Sequence, residues 1–143
     1  KQTKDTTMIG IIIVTHESLG NAYRSLAQHF FPDPPESVML LGVERTEDHE
    51  DIIRHILTMI EEADHGHGVL VLTDIFGATP CNAARKLVIP GKVAILTGLN
   101  APMMIKAVQY STTSTDLFAF TECVRKAAVD GIIAITNPPE ESC

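Results

Sequence analysis

The stretch Met8–Val14, MIGIIIV, decides the fold class of this 143-residue chain. It is an almost unbroken apolar run, which is typical of a β-strand that is buried on both faces of a parallel sheet. It is far too short to cross a bilayer. The polar pair Thr15-His16 follows it directly. The sequence therefore predicts a buried strand with a histidine at its carboxyl end.

Outward from this run, strand and helix patterns alternate along the chain. Further strands are predicted at 37–43, 69–73, 92–96 and 132–135, and helices at 15–30, from Thr46 to the loop at 65–68, and at 80–87, 100–110 and 115–129. This order predicts a doubly wound α/β fold, with a mostly parallel sheet of order 2-1-3-4 and helices on both faces. The last strand follows two helices. It either adds antiparallel at an edge or is donated to a second subunit.

The predicted helix ends and packing faces rest on local signals. Thr46 and Asn100 are expected N-caps, and Gly131 is expected to end the last helix. Prolines are expected to end the first helix, and each long helix has an apolar stripe expected to face the sheet. The prolines are Pro32, Pro34 and Pro35. The predicted stripes are Leu19, Tyr23, Leu26 and Phe30 in the first helix, Ile53, Ile56, Leu57 and Ile60 in the second, and Leu117, Phe120, Val124 and Ala127 in the last.

Length and composition indicate one domain at 8–136, with a flexible N-terminal segment at 1–7 and a disordered, Pro-rich tail at 137–143. The formal net charge is −7 and no basic run is present. Nucleic acid is therefore excluded as a partner, whereas a basic protein partner suits the acidic surface. Cys81, Cys123 and Cys143 give no disulfide framework, and no signal peptide is visible. A cytoplasmic protein without membrane insertion is expected.

Two chemically useful residues end neighbouring strands of the predicted sheet. His16 ends the first strand and Asp74 ends the third. Ligands of open parallel sheets bind at the carboxyl ends of strands, where the winding direction reverses. If Asp74 holds one ring N–H of His16, the opposite ring nitrogen is free to attack phosphorus. We therefore expect His16 to be a nucleophile that Asp74 orients.

The turn Asp74–Pro80, DIFGATP, adds an anion site at this edge. Its glycine allows close backbone approach, while Thr79 suits an N-cap and Pro80 the first helical position. The free amides of a helix start bind anions. The predicted phosphoryl-binding residues are Gly77, Ala78, Thr79, Cys81 and Asn82. Because no nucleotide motif such as G-x-x-x-x-G-K-[ST] occurs, no cofactor is predicted and the phosphoryl group is expected from another protein.

At these residues the chain resembles the IIA component of the mannose-type family of the bacterial sugar phosphotransferase system. The resemblance is carried by Thr15-His16 after its apolar strand, by Asp74–Pro80 with Asn82, and by Gly98–Met103, and it covers about 8–136. It implies that HPr phosphorylates His16 on Nε2 and that a IIB component receives the group. It further implies that Asp74 bonds Nδ1, that Thr79 lies beside the phosphoryl group, and that the protein is a homodimer, with exchange of the last strand known in the family.

Some residues depart from the transport members of that family. Glu17 stands where they often carry Gly, and Ala78 replaces the second Gly of a frequent pair. A carboxylate beside an incoming phosphoryl group repels it unless Glu17 turns to solvent in the first turn of the helix. Two alternatives therefore stay open: a regulatory carrier without transport, and a phosphoryl donor subunit for dihydroxyacetone kinase.

Further residues bear on partners and on other classes of protein. Phe76, Glu17 and Met103 are expected to contact protein partners, because an exposed aromatic beside a reactive site suits docking. Cys81 at a helix start, with His16 and Asp74, would make a thiol enzyme. His65 and His67, with His49 or His55, are the candidate metal ligands. Their Gly-flanked spacing closes no ligand set, so no metal site is predicted.

Overall fold

The computed structural model describes residues 8–31 and 38–139 and forms an α/β fold. The alternation predicted from the sequence is present from the first strand to the last helix. The elements are β1 Gly10–His16, α1 Leu19–Phe30, β2 Val38–Val43, α2 His49–Ala63, β3 Val69–Thr73, α3 Thr79–Arg85, β4 Val93–Leu96, α4 Ala101–Ser111 and α5 Leu117–Asp130.

The four strands form one parallel sheet in the order β2-β1-β3-β4, which confirms the predicted topology. β1 lies between β2 and β3, and its Val14 is paired with Leu41 on one side and with Thr73 on the other. His16 is paired with Val43 at the end of β2. The carboxyl ends of β1 and β3 therefore lie side by side, and the turns that lead to α1 and α3 begin directly after them.

The core consists of two apolar layers, one on each face of the sheet. Alternate residues of a strand point to opposite faces. Ile11 and Ile13 accordingly pack with α1, α4 and α5, whereas Ile12 and Val14 pack with α2 and α3. All four side chains are fully buried. This burial on both faces is why the strand reads as an unbroken run of Ile and Val in the sequence.

Several predicted helix starts are displaced. β1 continues through His16, so α1 begins at Leu19 and not at residue 15. The N-cap of α2 is Asp48 and not Thr46, because the Asp48 carboxylate accepts hydrogen bonds from the backbone N–H groups of Glu50 and Asp51. The carboxylate of Asp48 also favours the positive end of the helix dipole. Asn100 caps α4 as predicted, since its side chain accepts from the Met103 N–H.

The predicted apolar stripe is correct for three of its four residues in α5 and is partly wrong in α1 and α2. Leu19 and Phe30 are 42% and 58% exposed, and Leu57 is 41% exposed. In α1 the buried residues are Gly20 and Ala27, because this helix approaches the sheet so closely that a Cβ on Gly20 would lie 3.2 Å from Ile13. In α2 the buried stripe is Ile52, Ile56, Met59, Ile60 and Ala63. In α5 it is Leu117, Phe120, Val124 and Ala128, which replaces the predicted Ala127.

The predicted fifth strand at 132–135 does not form within the described chain. Residues 132–136 carry no regular structure, and the Ile132 N–H bonds to Val129 O at the end of α5, not to a strand. A strand needs a neighbouring edge for its hydrogen bonds, and this segment bonds to none of the sheet strands. The proline stop at 32–35, the segment 1–7 and the last four residues of the predicted tail lie outside the described residues.

Candidate active site

His16 and Asp74 meet at the carboxyl edge of the sheet. The Asp74 Oδ2 lies 2.9 Å from the His16 Nδ1 and 3.0 Å from the His16 backbone nitrogen. Because an ionised carboxylate only accepts hydrogen bonds, both nitrogens donate to it. One carboxylate oxygen therefore holds both the backbone and the ring of the histidine, which fixes the ring orientation and places the proton on Nδ1.

Asp74 is much more deeply placed than the histidine that it holds. Its side chain is 6% exposed, compared with 43% for His16. Its second oxygen, Oδ1, accepts from the Ile75 N–H at 3.0 Å. Burial acts to raise the pKa of the Asp74 carboxyl, but the hydrogen bonds from the His16 backbone and ring outweigh it, so the pKa lies below its ordinary value. The carboxylate thus stays ionised, as an orienting group must.

The free side of the histidine ring faces outward. No residue of the described chain forms a hydrogen bond with the His16 Nε2, and the ring is the exposed member of the pair. A neutral imidazole with its proton fixed on Nδ1 carries a lone pair on Nε2. The arrangement therefore presents a nucleophilic nitrogen to a group that arrives from solvent, with a buried carboxylate to stabilise the positive charge that forms on the ring.

The turn Asp74–Pro80, which we call the site turn, departs from prediction at its helix start. Gly77 has φ +88°, and a Cβ there would meet no atom within 4 Å, so the glycine serves the backbone conformation and not close approach. The N-cap of α3 is Ala78, which makes Thr79 the first helical residue and Pro80 the second. Thr79 is nevertheless exposed at the start of α3.

The backbone N–H of Asn82, one of the predicted phosphoryl-binding residues, is not free. The Asn82 N–H bonds to Ala78 O at 2.8 Å and is therefore consumed by the helix. The Asn82 side chain instead donates to Gly77 O at 3.2 Å and braces the site turn. Among the described residues, no acceptor bonds the backbone N–H of Thr79 or of Cys81. Asn82 is thus a support of the turn, and the amides at the helix start that have no hydrogen-bond acceptor among the described residues belong to Thr79 and Cys81.

The backbone after the histidine has an unusual conformation. Glu17 has φ +48°, the left-handed region that residues with a Cβ seldom adopt. Its N–H bonds to Val43 O at 2.9 Å, and its own carbonyl lies against Gly42, where a Cβ would be 2.1 Å from that oxygen. Glu17 is exposed. The sequence predicts it in the first turn of a helix, but in the structure it precedes α1. The tight turn that it forms holds His16 against the end of β2.

The third sequence motif, Gly98–Met103, supports the same edge. The Leu99 N–H bonds to Thr73 O at 3.0 Å, and the Asn100 side chain donates to Ala128 O at 3.0 Å. These bonds tie the residue before Asp74 to the starts of α4 and the end of α5. Met103, predicted to contact partners, is 2% exposed and lies in the core. It therefore cannot present a side chain to a partner.

The contact between Arg85 and Phe76 was not predicted from the sequence. Phe76 in the site turn is 66% exposed, as docking requires, and the Arg85 Cζ lies 5.3 Å from its ring centroid. Helical side chains lean toward the helix N-terminus, so an arginine at the end of a short helix can reach back to the turn before it. Applied to Phe76 and Arg85, this rule would have predicted their contact from the sequence. Ile75 beside Phe76 is 57% exposed and extends the apolar surface.

The alternative chemistries find little support in this arrangement. The Cys81 side chain is fully buried, so a substrate cannot reach its thiol from solvent. Within the part of the chain that the structure describes, no three His, Cys, Asp or Glu side chains are grouped to hold a metal ion. Over the same residues, no helix has the length and apolar character needed to span a membrane.

Known proteins resemble this chain in sequence and in fold. A family model described as the PTS system fructose IIA component matches residues 10–125. The phosphotransferase system component EIIA from Streptococcus agalactiae is 25% identical, with a TM-score of 0.79 over 89% of this chain and 97% of that one.

Two further solved structures share the fold at lower identity. The mannose/sorbose specific IIA subunit from Enterococcus faecalis superposes with a TM-score of 0.80 at 18% identity, over 94% of this chain and 99% of that one. The PTS IIA protein associated with the fucose utilization operon of Streptococcus pneumoniae has a TM-score of 0.72 at 23% identity, over 87% and 93%. The likeness spans nearly the whole of each chain.

Proposed function

From the premise that the chain belongs to the fructose IIA component family of the phosphotransferase system, we propose that its phosphoryl group is carried on His16 Nε2. The observation that carries the proposal is the double hydrogen bond from His16 to one Asp74 oxygen, at 2.9 and 3.0 Å. It directs an exposed, unprotonated nitrogen outward and keeps a carboxylate behind the ring. Family membership makes the chain a IIA phosphoryl carrier; the residue, the donor and the acceptor are our proposals.

The transfer step follows from this geometry. The Nε2 lone pair forms a bond to phosphorus while the bond from phosphorus to the donor nitrogen breaks, and the electron pair of that bond stays on the donor. His16 then holds its proton on Nδ1, where the hydrogen bond to the ionised Asp74 offsets the charge on the ring. The reverse sequence, with an acceptor in place of the donor, discharges the protein. Phosphoryl transfer of this kind depends on positioning and charge stabilisation.

The site turn supplies contacts for the transferred group. The unbonded amide and the hydroxyl of Thr79 and the backbone at Gly77 and Ala78 are proposed to hold its oxygens, whereas Cys81 has no exposed surface with which to contact them. We assign the phosphoryl-binding role to Gly77, Ala78 and Thr79 and a bracing role to Asn82.

Protein partners are proposed on both sides of the transfer. The phosphocarrier HPr is the proposed donor, and a IIB component is the proposed acceptor. Phe76 and Glu17 flank the histidine in the chain fold and are exposed, so both are proposed to contact them. The cytoplasm is the proposed location, since this is where such partners exchange phosphoryl groups.

A homodimer is also proposed, built by the C-terminal segment, residues 132–136. Ile132, Ile133 and Ile135 are 75%, 71% and 82% exposed, which is costly for isoleucine. β4 has no strand on its outer side within the described residues. Beside it lies an apolar cavity of about 630 Å³ between β4 and α5, whose lining includes Ile95 and Phe118. Addition of the segment of a second copy to β4 would bury both surfaces.

The proposed function is tested by incubating the protein with enzyme I, HPr and phosphoenolpyruvate and then measuring its mass. Wild type is expected to gain one acid-labile phosphoryl group, and His16→Ala none. His55→Ala, which removes an exposed histidine of α2, is the matched control and is expected to behave as wild type. Phosphorylation of His16→Ala would show that another residue carries the group. Mixing the charged protein with IIB components or with dihydroxyacetone kinase subunits then identifies the acceptor.

A further inference from the structure

A local cluster of positive charge lies beside the site of this acidic protein. His49, Asn82, Arg85 and Lys86 line a polar groove of about 510 Å³, which we call the cationic groove. Neither Arg85 nor Lys86 forms an ion pair with a described residue. By contrast, Arg54, Arg125 and Lys126 each pair with a carboxylate on their own helix. The groove therefore offers two exposed cations without counter-ions.

The topology places this groove at the same edge as His16. Asn82 and Arg85 belong to α3, which follows β3, and His49 begins α2, which follows β2. Both strands end beside the end of β1. Asn82 also donates to Gly77 O, so the groove borders the site turn directly. The positive charge consequently lies on the elements that follow the carboxyl edge of the sheet.

The Arg85 side chain is held against the site turn by Phe76, and both residues also line the cavity between β4 and α5. Its Cζ lies 5.3 Å from the ring centroid of Phe76, which is two residues after Asp74. Stacking on an aromatic face favours the guanidinium in that position. Arg85 is the last residue of α3, about 9 Å along the helix axis from its start at 1.5 Å per residue. Stacking on Phe76 therefore brings its charge back across part of that distance.

Electrostatics gives this charge a use. The site presents the ionised Asp74 and the exposed Glu17, and the whole chain carries a formal charge of −7. An incoming phosphoryl group is itself strongly anionic, so this surface repels it. Cations placed on the approach path reverse the local potential, raise the rate of encounter and stabilise charge on the transferring group. Within the described chain, no lysine or arginine forms a hydrogen bond with His16 or with Asp74.

We propose that Arg85, positioned by Phe76 and assisted by Lys86, steers the anionic phosphoryl group of the donor toward His16. The inference rests on the proposed function, in which His16 Nε2 forms the bond to phosphorus as the bond to the donor nitrogen breaks. Arg85 forms no bond to phosphorus in this scheme. It acts through the field that the phosphoryl group meets on approach.

The test compares the second-order rate of His16 phosphorylation in wild type and in Arg85→Gln, Lys86→Gln and the double variant, at low and high ionic strength. Phospho-HPr is one donor, and phosphoramidate, a small compound with a P–N bond that releases ammonia after protonation, is the other. With phospho-HPr at low ionic strength, Arg85→Gln is expected to lower the rate about 3–10-fold. At high ionic strength the difference is expected to shrink below about 2-fold, because salt screens exposed charges.

Two variants separate steering from other effects. Lys92→Gln removes one exposed positive charge just before β4, at the opposite edge of the sheet, and is expected to leave the rate unchanged. Phe76→Ala keeps the Arg85 charge but removes its support. With phosphoramidate, which needs no protein docking, it is expected to lower the rate about 2-fold at low ionic strength, as the charge moves away from the site.

The outcomes distinguish the two proposals. Wild-type rates for the double variant with both donors at low ionic strength would overturn the steering role while leaving the phosphoryl carrier intact. An equal loss at low and high ionic strength would also overturn it, since a structural defect is not screened by salt. Phosphorylation of wild type by phosphoramidate but not by phospho-HPr would reject the proposed donor, and the phosphoramidate rates would then decide the role of Arg85. No phosphorylation of His16 by either donor would reject both proposals.

Discussion

The carboxyl edge at β1 and β3 and the free side of β4 are both places where the sheet ends, yet they differ in how they are completed. At the first, a histidine, a carboxylate and backbone amides are joined by hydrogen bonds within one chain. At the second, β4 has no outer strand among the described residues, and the isoleucines of the C-terminal segment are exposed. The first edge is finished by polar contacts, whereas the second is apolar and is open beyond Val93, whose backbone pairs with Ile89.

This difference separates what a single chain can complete from what needs a second molecule. Polar groups at the histidine edge satisfy one another locally, because the turn after β3 and the end of β1 are neighbours in the sheet. An open strand edge beside an apolar cavity can accept another strand. Within the described residues, the segment that follows α5 makes no backbone bond to the sheet of its own chain. Chemistry at the first edge should therefore be sensitive to single side chains, and the second edge should govern association.

The largest expected effect is on association through the second edge. Ile133→Asp combined with Ile135→Asp places two carboxylates in the C-terminal segment and is expected to raise the dimer dissociation constant about 100-fold or more, from the loss of two buried isoleucines. Analytical ultracentrifugation over a concentration series measures it. Val129→Asp, at an exposed apolar residue of α5, is the matched control. A wild-type protein that stays monomeric at every concentration would contradict the proposal.

A smaller effect is expected at the histidine edge. Asp74→Asn retains the shape of the side chain but removes the charge that offsets a positive ring. If its one oxygen accepts from both His16 nitrogens, its NH2 group replaces Oδ1 and cannot accept from the Ile75 N–H. The rate of phosphorylation by phospho-HPr is expected to fall about 10–100-fold, the usual range for loss of a group that orients a histidine. Asp130→Asn, at the exposed end of α5, is the comparison variant. Equal rates for the two would mean that Asp74 does not orient the ring.

The packing beneath that edge can be tested through Gly42. A methyl group there would lie 2.1 Å from the Glu17 carbonyl oxygen, whose backbone is already constrained by the bond to Val43. Gly42→Ala is expected to lower the free energy of unfolding by about 1–3 kcal/mol. Gly20→Ala, whose Cβ would meet side chains at 3.2 Å, is expected to change it less. Urea denaturation compares both with wild type, and an unaffected Gly42→Ala would show that the Glu17 turn can move.

The smallest expected effect is a dependence of stability on pH. The pKa of Asp74 is lowered in the folded protein, because hydrogen bonds from His16 outweigh the burial that would raise it. Its ionised form therefore stabilises the fold above the unfolded pKa of about 3.9, and that contribution is lost as the pH falls through the lower folded value. Thermal unfolding of wild type and Asp74→Asn at stepped pH measures it. A stability difference that stays constant down to strongly acidic pH would contradict the lowered pKa.

Much of the fold was readable because its signals are local or periodic. The run Met8–Val14 predicted a strand buried on both faces, and Asn100 predicted a helix start. The structure confirms both. The predicted N-cap of α2 was wrong because two residues compete for that position. Asp48 accepts hydrogen bonds from two backbone N–H groups, and Thr46, two residues earlier, does not. The stripe of α1 failed because Gly20 lets the helix approach the sheet with a different face, and a glycine carries no apolar signal.

The candidate site was predictable to the level of its residues but not of its contacts. His16 and Asp74 follow predicted strands, and the order 2-1-3-4 makes those strands neighbours, so their meeting follows from topology. That one Asp74 oxygen serves both nitrogens of His16, and that Arg85 stacks on Phe76, depends on side-chain directions that no pattern in the chain specifies. The burial of Met103 likewise depends on the exact rotation of α4.

The sequence alone therefore determined the strand order, the histidine at the end of β1, the carboxylate at the end of β3 and the glycine-containing turn between β3 and α3. These are consequences of burial, periodicity and turn chemistry, which act over a few neighbouring residues. The tertiary structure alone decided which nitrogen of His16 is free, which amides remain unbonded and where the cations of α3 lie. It also left residues 132–136 outside the sheet, since a strand forms only where a neighbouring edge accepts its hydrogen bonds, and which edges are open depends on the tertiary fold.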